Sequence, residues 1–153
     1  MSGLTTLRFA VGIFDGWSEV LASVQELTEA GLAESAFSVL ALQRVLAPVA
    51  VYAGRGMSFS ALPFPGSGEV IAGSSGPVVD RLAAMLDAKV QTLSSALGHW
   101  LIPRHAAQLE GAVAAGKIIL WVQLFDNDEE RQACRSLLAK SSNSVGVHDL
   151  VGA

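Results

Sequence analysis

The stretch Ile118-Ile-Leu-Trp-Val-Gln-Leu-Phe-Asp126 decides the fold. Ile118, Leu120, Val122 and Leu124 alternate along it, the period of a strand with one face on a core. Asn127-Asp-Glu-Glu130 follows, and acidic residues suit a helix N-terminus. Ala133, Cys134, Leu137 and Leu138 then give that helix its apolar stripe. Leu7-Arg-Phe-Ala-Val-Gly-Ile-Phe-Asp15 is built alike: Leu7, Phe9, Val11 and Ile13 share a face. Trp17, Val20, Leu21, Val24 and Leu27 recur behind it at helical steps, and Gly31 supplies a stop. At an offset of 111 (126 minus 15), Phe14-Asp15 falls on Phe125-Asp126 and Glu19 on Glu130.

A second strand closes each unit, Ala36-Phe-Ser-Val-Leu-Ala-Leu42 in one and Ser144-Val-Gly-Val-His148 in the other. Two β-α-β units predict an α+β fold: a ferredoxin-like duplicated core, with a four-stranded antiparallel sheet and helices on one face. Strands 7–14 and 118–125 would be central, and 36–42 and 144–148 would be edges. A flavodoxin-like parallel sheet would need more strand signals than the chain carries. The whole, 1–153, reads as a single domain: a repeat over 5–42, an apolar Gly/Ala-rich helical insert over 43–116, and a repeat over 117–149.

In the insert, Pro48, Pro63 and Pro65 are expected to break regular structure. Glu69-Val-Ile-Ala72 reads as one short strand. Gly73-Ser-Ser-Gly-Pro77 reads as a turn into a helix with Pro77 at its first position and Val78, Leu82, Met85 and Leu86 on its apolar face. A short helix over Val90 to Leu97 is next. Pro103 opens a third, with Ala106, Leu109 and Val113 on one side and Gly116 as terminator.

Composition narrows the function classes. The chain has 153 residues, 51% hydrophobic and only 16% charged, against a typical charged share of ~25%. Such a chain must bury its surface well, associate with a copy of itself, or touch a membrane. Net charge is −4 and the ten Lys and Arg are scattered, which argues against nucleic acid as a partner. The longest run without Asp, Glu, Lys or Arg, Val90 to Pro103, falls short of the ~20 apolar residues of a membrane span. Met1 to Phe9 lacks the basic-then-apolar build of a signal peptide. Cys134 is the single cysteine. The expectation is a protein of the reducing cytoplasm.

Val11-Gly-Ile-Phe-Asp15 with its helix, the Gly/Ala-rich middle, Ile71-Ala-Gly73 with Gly76-Pro77, and Leu101-Ile-Pro103 leading through Gly116 into Ile118-Ile-Leu-Trp-Val122 resemble the general stress protein 17M-like domain. That bacterial family is related to the YflT-type heat-induced stress proteins. The resemblance implies a role in, or expression under, stress, and it brings no catalytic residues or cofactor.

Among chemistry-bearing residues, Asp15 and Asp126 invite pairing as acid and base or as metal ligands. Antiparallel central strands would put them at opposite ends of the sheet, so helix capping is the favoured reading. His99 and His105 flank Trp100 and Pro103 without a nearby Cys or acidic cluster, too little for a metal site; His148 has the pKa to titrate near neutrality but no partner marks it as a switch. Cys134, on the apolar side of its helix, reads as a buried structural thiol. The Gly73 turn lacks the Gly-Lys-Ser/Thr of a P-loop and reads mainly as a turn and cap; the glycines at 54, 56, 66 and 68 read as loop residues.

Trp121 shares the second face of its strand with Ile119, Gln123 and Phe125, so both faces are apolar and need cover. The insert plus a homodimer contact is the favoured cover. The leading expectation is therefore a non-enzymatic, stress-associated protein without cofactor or metal, acting through self-association as a dimer or through protein contacts. The alternative is a small-ligand sensor with a pocket between sheet and insert, for which Ser74, Ser75, Gly76, Trp100 and Trp121 are the candidate residues. An enzyme ranks last, since no titratable pair converges.

Overall fold

A computed structural model of the chain describes residues 5–52, 59–66, 69–74, 76–84, 91–140 and 146–152. Six strands, β1 (Thr5–Phe14), β2 (Phe37–Leu42), β3 (Phe59–Leu62), β4 (Ile71–Ser74), β5 (Ile118–Leu124) and β6 (Gly146–Gly152), make one sheet. Their spatial order is β3-β4-β2-β5-β1-β6. Every neighbouring pair is antiparallel. Among the described residues six α-helices join them: α1 (Trp17–Glu29), α2 (Gln43–Tyr52), α3 (Pro77–Ala84), α4 (Leu93–Leu97), α5 (Pro103–Ala114) and α6 (Asn127–Lys140). The fold is mixed α+β.

Strands β1 and β5 lie side by side inside the sheet, as their patterns imply. Strand β2 is not the edge expected. It pairs with β5 on one side and β4 on the other, and all six of its residues are buried. The reason is readable in Phe37-Ser-Val-Leu-Ala-Leu42: with no charged residue on either face, it needs neighbours and cover all round. Strand β3 extends the sheet beyond β4. The last strand begins at Gly146; positions 144 and 145 of the expected strand lie outside the described residues, as do Met85, Leu86, Val90, Gly54, Gly56 and Gly68.

Helices cover both faces rather than one. On the first face, Ala10, Phe14, Val39, Leu120 and Val122 pack with Val20, Val24 and Leu27 of α1 and Ala133 and Leu137 of α6. Gly12 admits α6 closely there, since a Cβ would stand 3.3 Å from a Leu137 methyl. On the second face, Phe9, Val11, Leu40, Ile119 and Trp121 pack with Val78 and Leu82 of α3, Leu93 and Leu97 of α4, and Leu109 and Val113 of α5. Three helices of the insert thus cover the second face of β5. Each fully buried aliphatic or aromatic side chain there contributes roughly 1.5–3 kcal/mol.

The offset of 111 does not survive in three dimensions. β1 ends at Phe14 and β5 at Leu124; α1 begins at Trp17 and α6 at Asn127; both offsets are 110. A slip of one residue exchanges the faces of a strand. Phe9 accordingly lies under the insert, while Leu120, its match at 111, lies under α1 and α6. Asp15 then corresponds to Phe125, and Gly16 to Asp126.

Two helix ends are built identically. At the end of α1 the Leu32 N–H donates to the Leu27 carbonyl and the Gly31 N–H to Thr28. At the end of α5 the Lys117 N–H donates to Ala112 and the Gly116 N–H to Val113. Gly31 and Gly116 have φ of +107° and +87°, the left-handed turn that this C-terminal motif requires and glycine permits. Pro77 and Pro103 open α3 and α5, and Pro63 and Pro65 lie between β3 and β4. Pro48 departs from expectation: it sits inside α2. The bond its missing N–H would make is to the Arg44 carbonyl, one helical turn back.

Candidate functional site

Antiparallel pairing of β2 with β4 sets Leu42 directly opposite Ile71. These two form the floor of a cleft of about 270 Å³, whose walls are Glu110, Val113 and Ala114 of α5 and Gly66 and Glu69 of the β3–β4 connection. The cleft lies between the sheet and the insert. Its volume is below the usual range for drug-sized ligands.

Among the described residues, the charged groups that line the cleft are two carboxylates. Glu110 is half-buried and holds the start of α4: its Oε2 accepts from the Ser94 N–H at 3.0 Å and its Oε1 from the Ser94 hydroxyl at 3.1 Å. Glu69 is exposed, and its Oε1 accepts from Arg44 Nε at 2.7 Å. That hydrogen bond, with the charge of Glu69, raises the Arg44 guanidinium above its usual range. Arg44 stands in the first turn of α2, which is tied to the same loop by the Gln43 N–H donating to the Val70 carbonyl at 2.8 Å. The Gly66 N–H is already engaged with the Gln91 carbonyl at 2.6 Å.

The residues expected to line a pocket lie elsewhere. Ser74 is buried, and its hydroxyl accepts from the Val39 N–H at 2.9 Å. Ser75 lies outside the described residues. Gly76 is packed on β2: a Cβ there would stand 2.3 Å from the Ser38 hydroxyl. That hydroxyl also accepts from the Val78 N–H at 3.3 Å, so Ser38 fills the place at the start of α3 where an anion would sit. Trp121 is directly opposite Ser38 across the β2–β5 pair, fully buried, with its ring edge-on to Phe9 at 6.2 Å. Its indole N–H is the one buried side-chain polar atom without a partner among the described residues. Trp100 is half-buried against the same core. Gly76 and Trp121 therefore meet around Ser38 in packed interior, away from the cleft.

Asp15 and Asp126 stand at opposite ends of the central pair, where Phe14 meets Ile118 and Arg8 meets Leu124, roughly 20 Å apart at ~3.4 Å per residue. Asp126 caps α6, accepting from the Glu129 N–H at 2.8 Å. At α1 the cap position is Gly16, and Asp15 pairs with Lys117 at 2.6 Å. His99 is exposed and His105 half-buried. Among the described residues no three of His, Cys, Asp and Glu converge as metal ligands. Cys134 is half-buried rather than buried. Its partial burial, then Glu130, push the thiol pKa up, and Arg8 opposes them.

Sequence spacing gave no sign of the cleft. Glu69 and Glu110 belong to segments with no common motif, and only the β2–β4 pairing and the seat of α5 bring them together. No family model, curated protein or solved structure matches the chain. Among the described residues no helix is long and apolar enough to cross a membrane.

Proposed function

We propose that the protein is a non-enzymatic binding domain that takes a small ligand in the cleft between sheet and insert. The observation that carries this reading is the cleft itself: an aliphatic floor of Leu42 and Ile71 beneath two carboxylates whose acceptor capacity is only partly used. Concave, largely apolar sites with a few polar groups are where small molecules bind. A role under stress rests on the sequence resemblance to the general stress protein 17M-like family, and a cytoplasmic setting on the single cysteine. We read β6-β1-β5-β2 with α1 and α6 as a ferredoxin-like core, supported by their order and their two β-α-β connections.

Ala114→Trp tests the reading, because Ala114 is exposed and lines the cleft. Ligands of the native state raise the melting temperature. In a thermal-shift screen of small molecules, hits on the native chain should vanish in this variant while its own melting temperature holds. A screen without hits, or hits indifferent to the variant, would sink the reading.

Self-association is the second reading, and the outer edge of β6 favours it. Among the described residues this seven-residue strand pairs with β1 alone, and an unpaired edge is a template for another strand. Light scattering that finds only monomer at high micromolar concentration would remove it.

A further inference from the structure

We draw no further inference here: the strongest candidate, the outer edge of β6 (Gly146–Gly152), pairs with β1 alone among the described residues, and nothing in the structure shows what covers it.

Discussion

Ser38 and Gly76 meet so closely that a β-carbon on Gly76 would lie 2.3 Å from the Ser38 hydroxyl and 2.6 Å from the Phe37 carbonyl. The second contact is backbone and cannot swing aside. Gly76→Ala must therefore push the start of α3 off β2, at a cost of about 2–3 kcal/mol for overpacking. Gly111→Ala is the control. It is exposed in α5 with nothing within 4 Å of an added carbon, and should gain about 0.5–1 kcal/mol from reduced chain entropy. Urea unfolding of the two variants should shift the midpoint in opposite directions.

Trp121 combines complete burial with an unpartnered indole N–H. Replacing it by Phe removes ring volume and the orphaned donor together. The two effects oppose, since an unsatisfied buried donor costs about 1–3 kcal/mol. Trp121→Phe should fall within about 1 kcal/mol of the native chain, whereas Trp121→Ala should lose about 3–5 kcal/mol. A Trp121→Phe loss as large as its missing ring volume alone predicts would show that the N–H carries no penalty.

Ser23 of α1 and Ser136 of α6 are buried and joined hydroxyl to hydroxyl at 3.2 Å. Removing one partner strands the other. Ser23→Ala and Ser136→Ala should each cost about 1–2 kcal/mol, and the double variant should cost less than their sum. A double-mutant cycle on denaturant midpoints measures the coupling, expected at about 0.5–1 kcal/mol.

The Cys134 thiol is held above its ordinary pKa by partial burial first and Glu130 second. The folded form thus favours the neutral thiol. The stability this contributes is full below the unfolded thiol's pKa and is lost as pH rises through the folded value. Iodoacetamide should alkylate the native chain more slowly than the urea-unfolded chain at mildly alkaline pH. Glu130→Gln should shift the native rate profile to lower pH, and Arg8→Gln to higher pH.

How far the sequence could be read depended on what each residue contacts. The central pair was legible because both faces of Ile118-Ile-Leu-Trp-Val122 are apolar, whatever lies above them. The ends of α1 and α5 were legible because Gly31 and Gly116 act locally. The offset between units was not, because the likeness of Phe14-Asp15 to Phe125-Asp126 is one of composition: one aspartate caps a helix and the other pairs with Lys117. Pro48 misled because a proline ends a helix only when packing does not hold it, and buried Leu46 anchors α2. The cleft was hidden because Leu42 and Ile71 become neighbours only through strand pairing.

The position of β1 has a kinetic consequence. Both of its sheet neighbours, β5 and β6, come from residue 118 onward. A nascent chain made only as far as residue 116 would hold β1, α1 and the entire insert while offering β1 no partner strand among the described residues. Contacts of such long sequence separation slow folding. The two halves of the sheet therefore join only after β5 has been made, with β5 as the wedge between β1 and β2. Until then the apolar strand Leu7 to Phe14 is a surface for chaperones to shield.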